Sequence, residues 1–469
     1  MAVPAPVVVV GAGPTGLVTA LLLARRGVEV TVLERRTGVH PLPRAVHLDD
    51  ESVRILQAAG VGDGFAGISR AAAGLRLLDA RLRPFAEFRR AGRGVHGWPE
   101  SNVFDQPDLE TLLRSRLARM PRVTLREGSD VRAVEPRGVR LASGERVAAA
   151  AVLGCDGAHS TVRSALGTWM RELGAPQRWF VLDVRCPAPL PSWGGVDQVC
   201  DPARAATFLA LAGDRYRWEF RMRAGETADD LAARVAELTA RWAPGAPDVL
   251  RAGEYTFAAR VADRWSRDRT FLLGDAAHLT PPFIGQGLGA GLRDAHNLAW
   301  KLAAVLRDGA PESWVDGYRA ERAPHAEAMI RGALRVGRAM TGGSGAVAAL
   351  RRPVVAGALR VPAVRRRAEA GLATRFGHGP LVDRRRDRRD PVGTLCPQPW
   401  PGHDALLGDG WALLAGSAPV PDDLARRAAS VGASTVRTTE PVLIRWLDHG
   451  RARAVLLRPD RIVAASAPA

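Results

Sequence analysis

Three glycines near the start of the chain, Gly11, Gly13 and Gly16, have the spacing Gly-x-Gly-x-x-Gly. Four valines precede them, and an apolar run follows them. Glycines at this spacing permit a tight turn and let the backbone approach a pyrophosphate at the N-terminus of a helix. The pattern therefore predicts a buried strand, a phosphate-binding turn that includes Pro14 and Thr15, and a buried helix.

An acidic residue, Glu34, follows the second apolar segment, residues 28–33, which is predicted to be a strand. It lies about 18 residues after Gly16, where a carboxylate can accept hydrogen bonds from the hydroxyls of an adenosine ribose. The strand, helix and second strand together predict a dinucleotide site. They do not by themselves distinguish FAD from NAD.

Two later segments have the same predicted arrangement. In each, an aspartate follows a buried strand, and glycines then begin a helix. The first ends in Asp156 and Gly157, and the second delivers Asp275 and continues into the glycine-rich residues 285–289. An aspartate at a strand end can accept a hydrogen bond from a ribityl or ribose hydroxyl. A glycine-rich helix start can present N–H groups and positive dipole to the N1–C2=O edge of a reduced flavin. The three segments together favour FAD.

These segments resemble those of the class A, single-component flavoprotein aromatic hydroxylases, the group that includes para-hydroxybenzoate hydroxylase. Three stretches are most similar to the 3-(3-hydroxyphenyl)propionate hydroxylase branch: PRAVHLDDES at 43–52, RWEF at 217–220, and residues 281–302. Bacterial polyketide hydroxylases are near relatives. The resemblance covers essentially the whole chain, and its motifs are more specific for FAD than for a substrate.

The resemblance implies an α/β protein with a Rossmann-like FAD-binding domain, an inserted antiparallel-sheet substrate domain and a small C-terminal thioredoxin-like α/β module. The implied boundaries are 1–75, 102–167 and 267–385 for the first, 76–101 and 168–266 for the second, and 393–469 for the third. The apolar patterns themselves predict helices near 50–60 and 107–120, antiparallel strands within 198–220, one helix over 229–242, and a linker at 384–391.

The resemblance also implies the residues that would hold FAD. Arg35 and Arg44 would contact the adenine side and the diphosphate, and Gln106 would contact the ribityl chain. Many relatives carry asparagine or cysteine where this chain has Gly289, so the active site is expected to be wider here. The implied cofactor residues are Gly11, Gly13, Pro14, Thr15, Gly16, Glu34, Arg35, Arg44, Gln106, Asp156, Gly157, Asp275, Pro282, Gly285, Gly287, Leu288 and Gly289.

Two histidines of these segments, His47 and His278, are considered for a role at the site. His47 is the candidate catalytic residue, because an imidazole with a pKa near neutrality can accept the proton of a substrate hydroxyl. The alternative is that His47 only packs over the flavin. His278 follows the third aspartate and is expected to be structural.

Three aromatic residues are candidates for substrate contact: Tyr216, Trp218 and Phe283. Alternation along a strand places Tyr216 and Trp218 on one face and Arg217 on the other. Strand alternation alone does not determine which face is turned toward the substrate.

The chain has 469 residues and a formal charge of +17, and Lys301 is its only lysine. Arginine together with abundant alanine is typical of a GC-rich genome, and the arginine runs are not interleaved with aromatics as in nucleic-acid binders. We therefore expect no nucleic-acid partner. The uncharged stretch 4–24 contains the glycine turn, so we predict strand and buried helix there and no membrane segment.

The cysteines are Cys155, Cys186, Cys200 and Cys396, and they form no Cys-x-x-Cys pair. Neither a disulfide framework nor a metal site is indicated, and the pattern favours a cytoplasmic protein. Without a second cysteine, the thioredoxin-like module lacks the pair needed for dithiol chemistry. It is predicted to have a structural or subunit-contact role.

The resemblance implies an NAD(P)H-dependent monooxygenase that hydroxylates a phenolic or polycyclic aromatic substrate, possibly a polyketide. FAD would accept hydride from NADH or NADPH, and O2 would give a flavin C4a-hydroperoxide that oxygenates the ring. The alternatives are Baeyer–Villiger oxidation, epoxidation, or a flavoprotein without catalytic activity. A halogenase is disfavoured because the WxWxIP motif is absent. The protein is expected to be a monomer or a homodimer.

Overall fold

The glycine turn follows a buried, apolar strand of a six-stranded sheet. A computed structural model describes residues 5–40, 45–90, 92–186, 188–243, 247–341, 353–354, 357 and 375–468. The strands of this sheet are β1 (Val7–Val10), β2 (Val30–Leu33), β8 (Val123–Arg126), β12 (Ala151–Gly154), β18 (Ser266–Arg267) and β19 (Thr270–Leu272). Their order is β18-β19-β12-β1-β2-β8, and neighbouring strands are parallel except for the β18–β19 pair.

This strand order brings the predicted motifs to one edge of the sheet. Gly11 follows β1, Glu34 follows β2, Asp156 comes shortly after β12, and Asp275 shortly after β19. Because these four strands are parallel, their carboxyl ends meet at the same edge, which is where open α/β sheets bind ligands.

The described helices are distributed over the six-stranded sheet, the second large sheet and the C-terminal module. They are α1 (Pro14–Arg25), α2 (Asp50–Ala58), α3 (Gly62–Ile68), α4 (Gln106–Leu117), α5 (Thr161–Ala165), α6 (Ala228–Ala232), α7 (Val235–Thr239), α8 (Gly287–Arg307), α9 (Ser313–Thr341), α10 (Asp404–Leu407), α11 (Asp422–Ser430) and α12 (Pro441–His449). The glycine-turn helix α1 packs against α8, which follows the third motif. Within the described residues, no helix combines the length and apolar character that crossing a bilayer requires.

An eight-stranded, mostly antiparallel sheet forms the second large layer. Its strands are β5 (Gly74–Leu78), β6 (Pro84–Arg89), β13 (Met170–Arg185), β14 (Val196–Val199), β15 (Ala206–Ala210), β16 (Arg215–Arg221), β17 (Asp248–Ala262) and β20 (His278–Leu279). Their order is β20-β17-β13-β16-β15-β14-β5-β6, and only β14–β5 is parallel. The antiparallel strands predicted within 198–220 are confirmed.

The single helix predicted over 229–242 is wrong, because two short helices, α6 and α7, occupy this segment. The backbone leaves helical geometry at Arg234, with φ −113° and ψ 19°. Leu231 and Val235 on either side are both buried in the same apolar cluster. Their spacing of four residues fits one continuous helix equally well, so the apolar pattern cannot reveal the break.

Two three-stranded sheets complete the region around the site. One consists of β3 (His47–Leu48), β7 (Asn102–Phe104) and β4 (Ser69–Ala71), in the order β3-β7-β4. The other consists of β9 (Val131–Glu135), β10 (Gly138–Leu141) and β11 (Arg146–Ala148). The first of these sheets fixes the position of His47, because His47 pairs with Val103 on β7.

The C-terminal module has the predicted thioredoxin-like arrangement. Its strands are β21 (Ala412–Ala415), β22 (Ser434–Arg437), β23 (Ala452–Leu457) and β24 (Val463–Pro468). Their order is β22-β21-β23-β24, with β21 and β22 parallel and the other pairs antiparallel. The segment predicted to be a linker, 384–391, forms no helix or strand and is mostly exposed, but Asp390 near its end is buried and accepts hydrogen bonds from Arg386 N and Ser466 Oγ, which ties it to the module.

Candidate active site

One cavity of about 1390 Å³ connects the carboxyl edge of the six-stranded sheet to one face of the eight-stranded sheet. At one end it is lined by the glycine turn, including Gly13, and at the other by aromatic side chains such as Trp179 and Phe257. Ligand sites for drug-sized molecules are usually about 300–1,000 Å³. The cavity therefore has room for more than one bound group.

The glycine turn has the backbone geometry that a pyrophosphate site needs. Gly11 has φ +102°, and a Cβ there would lie 2.5 Å from the carbonyl oxygen of Cys155, so the turn packs directly on the strand end beside it. A Cβ on Gly13 would meet nothing within 4 Å, and Gly13 lines the cavity. The backbone of α1 is thus bare toward the cavity at its N-terminus, where an anion is stabilised.

The carboxylate of Glu34 is held by two backbone N–H groups. Its Oε2 accepts a hydrogen bond from Ala12 N at 2.8 Å, and its Oε1 accepts one from Arg36 N at 2.9 Å. Each carboxylate oxygen keeps a lone pair for a ribose hydroxyl. Arg35 is exposed and lines the same end of the cavity, whereas Arg44 lies outside the described residues.

The side chain of Asp156 lines the cavity and also caps the short helix α5. It accepts hydrogen bonds from Ser160 Oγ and from Val162 N at 3.1 Å. Burial raises the pKa of this carboxyl. Arg163 in α5 then donates to the carbonyl oxygen of Ala276 at 3.0 Å, which ties the second motif to the third.

The corner that carries Asp275 is held by a buried aspartate that sequence reasoning missed. Asp294 accepts hydrogen bonds from Gly274 N at 3.0 Å, His278 Nε2 at 2.7 Å and Arg322 Nε at 2.8 Å. Burial alone would raise the pKa of Asp294, but these contacts lower it. His278 is fully buried in this network, so the structure supports a structural role for it, while Asp275 lines the cavity.

The start of α8 faces the cavity, as predicted for the residues beside an isoalloxazine. The cavity is lined there by Gly285, Gly287 and Leu288. The first N–H groups of a helix have no hydrogen-bond partner within the helix. Pro282 lines the same wall. The expectation that Gly289 widens the site is wrong, because a Cβ there would point at Ser52 Oγ, 2.7 Å away, and at Arg293.

His47 lies in the cavity wall between this loop and β7. Its Nε2 is 2.8 Å from Ser101 Oγ, and its Nδ1 is 3.5 Å from the carbonyl oxygen of Gly285. Burial lowers the pKa of His47, which favours the neutral imidazole. A neutral imidazole can accept a proton, and the role of His47 as a proton acceptor stays a prediction.

A buried acidic cluster next to His47 was not predicted from the sequence. Arg293 donates to Asp49 Oδ2 at 2.6 Å and to Glu51 Oε2 at 2.9 Å. Asp50, between these two acids, accepts from His96 N at 3.0 Å and lines the cavity. Burial, followed by the neighbouring Asp49 charge, raises the pKa of Asp50 to about 7.

Gln106 is fixed by two contacts at the flavin end of the cavity. Its Oε1 accepts a hydrogen bond from Ala45 N at 2.8 Å, and its Nε2 donates to Glu110 Oε1 at 2.8 Å. Because Gln106 lines the cavity, its amide has a defined orientation toward any bound group. The contact of Gln106 with a ribityl chain stays a prediction.

Of the three predicted substrate residues, only Phe283 lines the cavity. Its ring makes an edge contact with Trp179 at 6.0 Å between centroids. Tyr216 and Trp218 face the opposite side of β16, in the apolar cluster with Phe208, so the prediction that they contact substrate is corrected.

The β16 residues that do face the cavity are charged. Arg217 forms a bidentate pair with Asp183, with Nε–Oδ1 2.6 Å and Nη2–Oδ2 3.0 Å, and Glu219 lies beside them. Strand alternation predicted that Arg217 faces away from Tyr216 and Trp218. It could not decide which face is buried against apolar side chains and which lines the cavity.

The geometry of the described residues fits FAD. The turn at Gly13, with no side chain in the way, suits a pyrophosphate, and the carboxylate of Glu34, fixed by a backbone N–H, suits a ribose. The start of α8 suits the pyrimidine edge of a flavin. Asp275 and Gln106 line the same cavity.

Comparisons with known proteins agree with this geometry. The chain matches the family described as FAD binding domain over residues 4–333. It is 33% identical to 3-(3-hydroxy-phenyl)propionate/3-hydroxycinnamic acid hydroxylase 2 of Burkholderia vietnamiensis, over 99% of this chain and 94% of that protein. It is 31% identical to a probable NADH-specific resorcinol 4-hydroxylase of Rhodococcus jostii, over 97% and 91%.

Among solved structures, the complex of aklavinone-11 hydroxylase with FAD and aklavinone matches with a TM-score of 0.79 and 26% identity, over 100% of this chain and 96% of that one. These findings confirm the resemblance predicted from the motifs. The chain belongs to the FAD-binding-domain family of flavin-dependent aromatic hydroxylases.

Proposed function

We propose that the protein hydroxylates a neutral, multi-ring phenol bound against the aromatic wall formed by Trp179, Phe257 and Phe283. The observation that carries this proposal is the continuity of the cavity, which runs from Gly13 at the pyrophosphate site to these three rings. A ligand on this wall lies in the same enclosed space as the start of α8. The relatives are named for 3-(3-hydroxyphenyl)propionate, resorcinol and aklavinone.

Charge at the substrate wall favours a neutral substrate over a carboxylate at this position. Arg217 is buried, but its guanidinium is engaged by both oxygens of Asp183. Arg251 lies 3.8 Å from the same carboxylate. A substrate carboxylate here would compete with an ion pair that already exists and would meet Glu219, whereas a hydroxyl or quinone oxygen can join the network.

The residues proposed to hold FAD are those implied by the resemblance, with Asp275 and Gln106 along the ribityl chain. When bound, FAD takes hydride from NAD(P)H and activates O2 for transfer of one oxygen atom to the aromatic ring. His47 is proposed to accept the phenolic proton, through Ser101 Oγ at 2.8 Å from Nε2. A phenolate is a better partner than a phenol for electrophilic oxygen transfer.

The proposed reaction is tested on the purified protein. It should be yellow, lose its flavin absorbance with NAD(P)H under anaerobic conditions, and recover it in air. We would then compare product formation from aromatic polyketides, resorcinol and 3-(3-hydroxyphenyl)propionate. Hydroxylated product from multi-ring phenols supports the proposal, whereas product from the carboxylated phenol alone contradicts the charge argument.

Gly337 in α9 is expected to limit the size of the substrate space. A Cβ there would lie 2.4 Å from two ring carbons of Phe283, so Gly337→Ala should push that ring toward the cavity. We expect kcat/KM for a multi-ring phenol to fall about 10- to 100-fold more than for a single-ring phenol, the scale of hydrophobic-site discrimination. The measurement is kcat/KM on both substrates.

Gly317→Ala is the matched control, because it lies in the same helix and its nearest atoms would be 3.9 Å from a Cβ. Alanine is favoured over glycine in a helix by about 1 kcal/mol, so loss of folding is not expected in either variant. An equal loss on large and small substrates would contradict a size effect.

We propose that the enzyme acts in the cytoplasm, where NAD(P)H is available, as a monomer or a homodimer. The four cysteines all lie within the described residues and form no disulfide, which is the state favoured in a reducing compartment.

A further inference from the structure

A short segment of the C-terminal module lies against the wall of the substrate cavity. We call residues 396–404 the clasp and residues 92–101 the wall loop. The backbone of the clasp approaches the wall loop closely at Gly97, where a Cβ would lie 2.8 Å from the carbonyl carbon of Trp400. Gly97 has φ +83°, which also favours glycine.

The clasp is fixed to α2, the helix whose first turn carries Asp50. Arg54 is buried and donates from Nε and Nη2 to the two carboxylate oxygens of Asp404, at 2.7 Å each. Its Nη1 donates to the carbonyl oxygen of Cys396. A bidentate, buried pair of this kind holds its partners in a defined orientation.

The clasp also binds the wall loop directly, through Gln398. Its backbone N–H donates to the carbonyl oxygen of Val95 at 2.9 Å, and its Nε2 donates to that of His96 at 2.8 Å. Its Oε1 accepts from Gln57 Nε2 at 3.0 Å, and Gln57 Oε1 accepts from Trp98 Nε1 at 2.9 Å. Gln398 is fully buried, so these contacts are shielded from water.

The wall loop in turn forms hydrogen bonds with side chains that line the substrate cavity. His96 N donates to Asp50 Oδ2 at 3.0 Å, and Ser101 Oγ is 2.8 Å from His47 Nε2. His47, Asp50, His96 and Ser101 all line the cavity. One loop therefore connects the clasp to both proton-transferring side chains of the wall.

We propose that Gln398 is a positioning residue, through which the C-terminal module holds the wall loop so that His47 and Ser101 meet the substrate hydroxyl. The proposal rests on the proposed hydroxylation for its effect on turnover, but the restraint itself exists without substrate. Efficient use of NAD(P)H then depends on a module whose described residues do not line the cavity.

The test compares Gln398→Ala with the unchanged protein in two measurements. Hydrogen exchange, followed by mass spectrometry on the FAD-loaded protein, should become faster in peptides that cover residues 92–101. Product formed per NAD(P)H consumed should fall roughly 10-fold, within the 10²-fold that a 1 Å misplacement can cost. FAD content and the rate of NAD(P)H oxidation should stay the same, with hydrogen peroxide accounting for the lost product.

Arg427→Ala is the control in the same module, because Arg427 pairs with Asp383 and contacts no residue of the wall loop. It should leave both measurements unchanged. Unchanged exchange at 92–101 in Gln398→Ala would overturn the restraint, and faster exchange with unchanged product yield would overturn its role in positioning. If the unchanged protein hydroxylates no aromatic compound, the proposed function fails, and the exchange result still decides whether the clasp restrains the loop.

Discussion

Asp275→Ala should yield protein that purifies mostly without FAD. Asp275 lines the cavity at the carboxyl edge of the sheet, and its backbone is fixed because Asp294 accepts the N–H of Gly274. Removing the carboxylate removes a charge-assisted hydrogen bond of about 1.5–3 kcal/mol to a ribityl hydroxyl. Since 1.4 kcal/mol is a factor of ten, affinity should fall by about 10- to 150-fold. The ratio of flavin to protein absorbance measures the occupancy.

Two further variants separate cofactor binding from general damage. Asp275→Asn keeps an acceptor without the charge and should retain more FAD than the alanine variant. Asp423→Ala removes an exposed carboxylate on α11, away from the cavity, and should retain all of it. Full FAD occupancy in Asp275→Ala would remove Asp275 from the proposed binding set.

His47→Ala should retain FAD and NAD(P)H oxidation while hydroxylation falls by about 10²–10⁴-fold. The imidazole is held by Ser101 Oγ and by the loop at Gly285, and burial lowers its pKa so that the neutral, proton-accepting form is favoured. Without it the phenol keeps its proton, and reducing equivalents leave as hydrogen peroxide. The measurement is product and peroxide formed per NAD(P)H. Equal product yield from variant and parent would show that His47 has no role in proton transfer and only packs in the cavity wall.

The pH dependence distinguishes His47 from its neighbour Asp50. A base with a pKa below the usual histidine value of 6.5 stays deprotonated through neutrality, so hydroxylation dependent on His47 should fall only at more acidic pH. Asp50 has its pKa raised to about 7, so a role for its carboxylate would make product yield fall as pH drops through 7. A decline at neutral pH that disappears in Asp50→Asn would transfer the proton-accepting role to Asp50.

The sheet that binds the cofactor could be predicted because its signals are local. A buried parallel strand is a continuous apolar run such as Val7–Val10, and the turn after it needs glycine at Gly11. Asp294 could not be identified in this way. It acts on Gly274, 20 residues earlier, only after α8 has packed against the sheet.

Two other features could not be predicted from the sequence. They are which face of a strand packs in the apolar core, and which residues far apart in the chain form ion pairs. Tyr216 and Trp218 share a face, as alternation requires, but packing of the eight-stranded sheet decides that this face is apolar core. The pair between Arg54 and Asp404 joins residues 350 positions apart, and neither has a local pattern that indicates the other. The tertiary fold alone creates such contacts.

The strand order β19-β12-β1-β2 has a consequence for the timing of synthesis. The glycine turn after β1 is translated early, but β1 gains its neighbour β12 only after residue 151, and the turn with Asp275 follows β19. At about 5–20 residues per second, the roughly 140 residues between the two strands take about 7–28 seconds, during which the valine strand has one open edge. FAD can be captured only after the glycine-rich segment 285–289 has been translated. Expression yield of this protein should therefore depend on the free flavin present once that segment has been made.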